Sequence, residues 1–250
     1  MALIAAAIAA VAIPVAYRAR RARWVAQLGA AARERLAAGK TAEAVKLYGL
    51  YLQKSPDAAA AHADYAALLW KQAELPGSGR RLREGALAAI NDAVRKNPDS
   101  LPLRRMLAVS LLELGQFGTA REQLVFLREQ AAAATPEALA ASDIDPDEIT
   151  LLEARTCLAN DMIPDAASLA ATLTGFDAAG RVFDAAWKPG RLVTEASVLL
   201  ATILAEKRED PQAAERVLTK LTETAPDDHR AWLALARWHA RHGEPRRAAD

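Results

Sequence analysis

Apolar residues recur four and seven positions after an alanine at three places in the chain, and a proline follows each of these alanines by twelve positions. The three sets are Ala44/Tyr48/Tyr51 with Pro56, Ala86/Ile90/Ala93 with Pro98, and Ala214/Leu218/Leu221 with Pro226. This spacing places each set on one face of an α-helix. The proline ends the helix because it lacks an N–H and clashes with the preceding turn. A helix that stops three times at the same register predicts a repeated helical unit.

A glycine stands five positions before an alanine in three stretches: Gly39/Ala44, Gly115/Ala120 and Gly243/Ala248. Glycine ends a helix in the left-handed conformation at little steric cost, and a small residue is needed where two helix axes cross closely. The glycine therefore predicts the turn between two helices, and the alanine predicts their crossing. Because one such pair cannot bury its apolar face alone, several pairs must stack.

Two stretches carry this pattern most fully. One contains Leu107, Ala108, Leu111, Gly115, Phe117, Ala120, Leu124 and Leu127, and the other contains Trp232, Leu235, Ala236, Gly243 and Ala248. The pattern resembles the tetratricopeptide repeat, a pair of antiparallel helices of about 34 residues. The resemblance implies an all-α fold, an α-solenoid in which helix pairs stack into a superhelix, and a role in binding other proteins. Candidate units cover Leu28–Asp57, Ala59–Ser100, Leu101–Glu129, Asp147–Thr174, Thr194–Asp227 and Asp228–Asp250.

The predicted organisation has four parts. Residues 1–23 are an apolar segment with a basic flank, 24–130 hold repeats 1–3, 131–146 form an interrupting linker, and 147–250 hold repeats 4–6 with an insertion near 175–193. Within the linker, Thr135 before Pro136 predicts a helix N-cap. The fourth repeat has Asp161 where the turn glycine is expected. Because Asp250 follows shortly after the alanine that opens a second helix, we expect the last repeat to be incomplete and the chain to be part of a longer protein.

The composition is typical of a helical protein, and the net charge of the chain is close to zero. Hydrophobic residues make up 52% of the chain and aromatic residues only 5%, so alanine supplies much of the apolar content. Few segments alternate at period two, which predicts almost no sheet. The formal net charge of +1 argues against a protein held to nucleic acid by overall charge.

The N-terminal run Ala2–Tyr17 carries no charge, and five arginines follow before the first acidic residue, Glu34. This order predicts a single-pass membrane anchor with the repeats on the cytoplasmic side. It also resembles the architecture of bacterial anchored tetratricopeptide proteins that assist envelope assembly. A cleaved signal peptide, a peripheral amphipathic helix and a buried first helix of the array are the alternatives.

Residues that could carry chemistry are few. His229, His239 and His242 lie close in sequence, but no carboxylate or cysteine stands at the spacing of a zinc site. The acidic run from Asp143 to Glu148 lacks the glycine and terminal glutamate of a calcium loop. The single cysteine, Cys157, falls on an apolar helix face and is expected to be a buried thiol. We therefore expect no catalytic residues, no metal and no cofactor, and residues 1–250 are not expected to be an enzyme.

The first helix of each pair is expected to line a concave groove. The pattern places eight residues there: Arg33, Trp70, Arg105, Leu112, Arg155, Leu158, Arg237 and Arg241. Arginines on several helices could bind an acidic or extended peptide, although each could also be an ordinary solvated position. A carboxylate clamp for chain termini is not expected, because Gly29, Arg33 and Asp64 stand where the family uses Lys, Asn and Asn.

The sequence thus predicts a non-catalytic scaffold or adaptor that is tethered to a membrane and binds proteins or peptides on its concave face. Two alternatives remain. The array could be the recognition arm of a larger enzyme whose catalytic domain lies beyond Asp250, or it could be a periplasmic or secreted adaptor.

Overall fold

The prolines end helices at the predicted register. The computed structural model describes residues 2–182 and 190–242, with side chains described for Tyr17 and from residue 20 onward. The helix before Pro56 ends at Lys54, the helix before Pro98 ends at Lys96, and the helix before Pro226 ends at Thr224. The chain divides into two compact units, Met1–Ser110 and Leu111–Asp250.

The first unit contains four helices, each packed on the next: α1 (Ala2–Ala37), α2 (Thr41–Lys54), α3 (Ala59–Ala73) and α4 (Arg80–Lys96). They are followed by α5 (Leu101–Glu113), which crosses the boundary between the units. Ala44, Tyr48 and Leu68 are among the residues buried between α1, α2 and α3. The Tyr48 hydroxyl donates a hydrogen bond of 2.7 Å to Oδ2 of Asp64, which links α2 to α3.

The second unit contains the interrupting segment and three further sets of packed helices. Its helices are α6 (Phe117–Ala133), α7 (Pro136–Ser142), α8 (Pro146–Ala159), α9 (Ile163–Thr172), α10 (Val193–Thr202), α11 (Pro211–Thr224) and α12 (His229–Arg241), with a π-helical turn at Ile203–Lys207 after α10. Neighbouring contacts join α6 to α8, α8 to α9, α9 to α10, α10 to α11, and α11 to α12. The all-α solenoid fold is thereby confirmed. In the described part of the chain, extended pairing is limited to one bridge between Phe176 and Val182.

The turns between paired helices use the left-handed conformation. Gly39 has φ 71° and Gly115 has φ 73°. Asp161, which replaces the turn glycine of the fourth repeat, adopts the same conformation with φ 58°. Aspartate tolerates this region better than most residues, so the turn keeps its geometry without glycine.

Several helix starts in the second unit carry a side-chain cap. The Thr135 hydroxyl accepts a hydrogen bond from the Ala138 N–H, and Pro136 opens α7. Asp145 caps α8 by accepting from the Asp147 N–H at 3.0 Å. The acidic run around Asp145 therefore lies at a helix N-terminus.

Cys157 is fully buried in the core of the second unit, as predicted. It packs among small residues of α8 and α9, including Ala154, Ala166 and Ala170. Burial raises the pKa of its thiol, and a hydrogen bond with Arg121 opposes that rise only in part. The thiol is accordingly protonated at neutral pH.

A second buried group on α8 is ionisable. The Glu153 side chain is 2% exposed, and its Oε2 lies 3.1 Å from Nε of Arg128 on α6. Burial raises the pKa of Glu153, and the charges of Arg128 and Arg121 oppose the rise. The net shift is upward, so the effect of burial on the pKa of Glu153 outweighs that of the adjacent guanidinium groups.

The predicted membrane anchor is wrong. Among the residues that the structure describes, no helix combines the length and the apolar character needed to cross a membrane. The apolar run Ala2–Tyr17 is shorter than the roughly 20 residues that a span requires, half of it is alanine, and α1 continues directly into the arginines that follow it. Three further predictions depended on this anchor and are wrong with it: the single-pass topology, the cytoplasmic placement of the repeats, and the likeness to anchored bacterial proteins.

Some predictions fall on residues outside the described ranges. These are the turn at Gly243, the helix opened by Ala248, and residues 183–189 of the insertion near 175–193. Phe176, which begins the same insertion, is buried in the core of the second unit.

Two glycines of the first unit test the importance of the left-handed turn. A Cβ would meet no atom within 4 Å at either Gly39 or Gly85, but Gly39 has φ 71° while Gly85 lies inside α4. We expect Gly39→Ala to lower the free energy of unfolding by about 1 kcal/mol because of backbone strain. Gly85→Ala should raise it by about 1 kcal/mol through helix propensity. Urea denaturation measures both, and a Gly39→Ala variant as stable as the parent would contradict the assignment.

The buried carboxyl predicts a pH-dependent effect of Glu153→Gln. Because the folded-state pKa is raised above its ordinary value of 4.5, the folded chain keeps this proton at pH values where the unfolded chain has released it. The contribution of Glu153 to stability therefore falls as pH rises above 4.5. We expect the melting temperatures of variant and parent to coincide near pH 4 and the variant to melt higher at neutral pH.

A matched change at the partner sharpens this test. Arg128→Gln removes the charge that lowers the pKa of Glu153, so this variant should lose stability at neutral pH and not in acid. If Glu153→Gln instead lost stability at neutral pH, the ion pair would outweigh the burial of the carboxylate.

Candidate functional site

An elongated cleft of about 750 Å³ opens in the second unit between α10 and α12, with α11 behind it. Its lining runs along α10 and the π-helical turn from Thr194 to Glu206 and along α12 from Arg230 to His242, while Leu218 of α11 and Arg155 of α8 complete it. The helices α8, α10 and α12 are the first members of their predicted pairs. The cleft therefore lies on the face where the sequence predicted a groove.

A polar network fixes the start of α12 against the start of α10. Asp228 caps α12 by accepting from the Arg230 N–H at 3.0 Å, and the Thr194 hydroxyl donates to its Oδ2 at 2.7 Å. Arg230 donates to both carboxylate oxygens of Asp228 and also to Oε1 of Glu195 at 2.6 Å. Hydrogen bonds from Arg230 and Thr194 hold the pKa of Asp228 far below its usual range. The network thus joins α10 to α12 at one end of the cleft.

The other end is shaped by the π-helical turn Ile203–Lys207. Its wider winding precedes the start of α11 by only a few residues, and the Asp210 N–H donates to the carbonyl of Leu204. The turn brings Ala205 and Glu206 into the cleft lining. π-Helical turns within α-helices occur frequently at functional sites.

The cleft is apolar between its ends. Val198 and Ala201 contribute from α10, Leu218 from α11, and Leu233 and Trp238 from α12. Leu233 is 46% exposed, so part of its side chain is open to a partner in the cleft. The Trp238 ring stacks on His242, with centroids 3.6 Å apart and an angle of 27° between the rings. An apolar partner group would be shielded from water here.

The arginines of the cleft fall into two classes. Arg230 is committed to Asp228 and Glu195. Arg155, Arg237 and Arg241 are exposed, and within the residues that the structure describes none of the three has an ion-pair or hydrogen-bond partner. Since guanidinium groups stay charged at all ordinary pH values, these three give the cleft a lasting positive charge.

The structure brings three of the eight predicted groove residues together, namely Arg155, Arg237 and Arg241. Leu158 instead packs against the core of the second unit, and Leu112 is half-buried. In the first unit, Arg33 is exposed, Arg105 is half-buried, and Trp70 is only 8% exposed, so little of its indole is open to a partner.

Gly29 and Asp64, two of the three positions compared with a carboxylate clamp, serve packing. A Cβ at Gly29 would lie 3.0 Å from the ring of Tyr51, so the glycine allows a close approach of α1 and α2. Asp64 accepts the hydrogen bond of Tyr48, and both burial and this contact raise the pKa of the Tyr48 hydroxyl. Gly29 and Asp64 therefore contact the neighbouring helix instead of offering donors to a carboxylate.

Several cleft residues were not recognised in the sequence. Arg230 and Glu195 are 35 residues apart, and no local pattern signals their pairing. Trp238 stands between Arg237 and Arg241 on an amphipathic helix, and its four-residue spacing from His242 is a signal that could have marked an aromatic stack. The sequence of the π-helical turn contains no glycine or proline, so nothing in it indicates a change of helix type.

The histidines do not form a metal site. His239 is buried, and His242 stacks on Trp238. In the described part of the chain, no group of three or more histidine, cysteine, aspartate or glutamate side chains could hold a metal ion.

Comparisons with solved structures identify the fold. YrrB, described as a TPR protein with an unusual peptide-binding site, superimposes with a TM-score of 0.59 at 19% sequence identity, over 84% of this chain and 88% of that chain. The fold is that of a tetratricopeptide-repeat array. Agreement with YrrB at this identity concerns the fold alone.

Two further matches are more distant. Human IFIT1, solved as a dimer with PPP-AAAA, gives a TM-score of 0.45 at 17% identity over 84% of this chain and 44% of that chain. The P58(IPK) TPR domain gives 0.41 at 13% identity over 93% of this chain and 60% of that chain. No family model matches this chain, and no curated protein sequence does so either.

Proposed function

We propose that this chain is a non-catalytic protein-binding module that holds an extended segment of a partner protein in the cleft between α10 and α12. The observation that carries the proposal is the combination, in one cleft, of an apolar lining with three arginines that have no partner among the described residues. Tetratricopeptide-repeat folds stack helix pairs into extended binding surfaces, and the cleft lies on the first helices of those pairs.

The dimensions of the cleft favour an extended segment. Its lining covers twelve residue steps along α12, which corresponds to about 18 Å at 1.5 Å per residue. An extended chain advances about 3.3 Å per residue, so five or six residues of a partner fit along it. A segment of that length offers alternating side chains to the two walls.

The chemistry of the cleft favours binding over catalysis. Its carboxylates are Glu195, which is paired with Arg230, and Glu206, which lies exposed at the far end. The remaining polar groups are arginines, two threonines and a stacked histidine. This set can orient and hold a peptide through charge-assisted hydrogen bonds.

The apolar part of the cleft gives the first test. Peptides are selected from a random display library on the parent chain, and the affinity of a synthetic selected peptide is measured by fluorescence polarisation. Leu233→Gln should weaken binding roughly tenfold because it removes apolar contact area. Since Leu233 is already half exposed, the variant should keep the melting temperature of the parent.

Leu75→Gln is the matched control. Leu75 is 60% exposed in the first unit, and its replacement should leave the affinity unchanged. Selection of no peptides, or peptides that bind the Leu233→Gln variant as well as the parent, would show that this cleft is not the binding site.

A further inference from the structure

The arrangement of charges in the cleft indicates which segment it binds. Resting on the binding role proposed above, we propose that the cleft selects an internal acidic segment in which two carboxylates are separated by one apolar residue. The two carboxylates would contact Arg237 and Arg241 on α12, and the apolar residue would face α10.

The sign of the charge follows from the pairing within the cleft. Arg230 and Glu195 neutralise each other, with Oε1 of Glu195 2.6 Å from Nη1 of Arg230. Arg155, Arg237 and Arg241 then face a single unpaired carboxylate in the described lining, that of Glu206. The excess positive charge attracts an acidic partner, and planar guanidinium groups bind carboxylates through paired hydrogen bonds.

The spacing of the carboxylates follows from helix geometry. Arg237 and Arg241 are four residues apart on α12 and lie on the same side of the helix, about 6 Å apart along its axis. In an extended segment, side chains at positions i and i+2 point to the same side and lie between 6 and 7 Å apart, whereas those at i and i+1 point to opposite sides. One residue between the two carboxylates therefore matches the spacing of the arginines.

The intervening residue faces the opposite wall. That wall is formed by Val198, Ala201 and Ala205 of α10 and the π-helical turn, which offer small apolar side chains. A valine or leucine in the partner would bury apolar surface there. The two walls thus read alternate positions of the same segment.

An internal segment fits better than a chain end. Arg237 and Arg241 are spread along α12 while Arg155 stands on α8, and the described lining contains neither lysine nor asparagine. Chain-end recognition would need converging donors at one end of the cleft. The end of the cleft at the π-helical turn instead carries the exposed Glu206, whose charge would repel a terminal carboxylate.

Four decapeptides test the inference. All four are acetylated, and the first three are also amidated so that neither of their ends is charged. The first contains Glu-Val-Glu, the second contains the same residues as Glu-Glu-Val, the third contains Lys-Val-Lys, and the fourth repeats the first with a free C-terminus. On the parent chain we expect the first peptide to bind about tenfold more tightly than the second and the third not to bind. The first and fourth should bind equally.

Charge reversal on α12 provides the second arm. The double variant Arg237→Glu/Arg241→Glu should lose at least tenfold in affinity for Glu-Val-Glu and gain affinity for Lys-Val-Lys. Arg216→Glu is the matched control, because Arg216 is an exposed arginine on α11 outside the cleft. Circular dichroism melting confirms that the variants are folded.

The outcomes separate this inference from the binding role itself. Equal binding of Glu-Val-Glu and Glu-Glu-Val, a preference for the free C-terminus, or no effect of charge reversal would overturn the acidic-segment proposal. If library peptides still lose affinity with Leu233→Gln in that case, the cleft remains the binding site for a segment of different chemistry. If neither arginine nor leucine variants change binding, both proposals are wrong.

Discussion

The close approach of paired helices at a buried alanine is the contact on which the rest of the structure depends. The second helix of five pairs carries an alanine with no exposed surface, at Ala44, Ala86, Ala120, Ala166 and Ala214. A larger side chain at such a crossing would push the helix axes apart. Because the second helices stay close behind the first, α8, α10 and α12 all contribute to one cleft. The cleft is a consequence of small side chains that never touch a ligand.

Electrostatic pairing then decides which residues of this surface are available. Arg230 is held by Asp228 and Glu195 and joins two helices, whereas Arg155, Arg237 and Arg241 are directed to solvent with no partner among the described residues. The low pKa of Asp228 means that this carboxylate stays charged at neutral pH, so Arg230 remains engaged. Residues of one type thus have two roles in the same cleft, one in packing and one in recognition.

Regular features of the fold could be predicted from the sequence because each rests on local chemistry. Pro56, Pro98 and Pro226 each lie two residues after the last residue of a helix, since proline cannot continue it. Gly39 and Gly115 reverse the chain because their backbone can adopt positive φ. The pairing of Glu195 with Arg230 depends on tertiary packing and could not be predicted. The anchor prediction was wrong because the uncharged run is short and rich in alanine, so its length and hydrophobicity fall below those of a membrane-spanning helix. Arg155, Arg237 and Arg241 line one cleft, and their role in binding stays a prediction.

Nuclear magnetic resonance of the tryptophan indoles is the most direct test of the central claim, which is that the cleft between α10 and α12 is the binding surface. The chain has five tryptophans, and Trp238 lies in the cleft while Trp24 and Trp70 lie in the first unit. Titration of the ¹⁵N-labelled chain with the Glu-Val-Glu peptide should move the Trp238 indole signal, assigned with Trp238→Phe, to saturation. The signals of Trp24 and Trp70 should stay in place. Saturable binding that shifts the signal of Trp24 or Trp70 and leaves that of Trp238 unchanged would contradict the account.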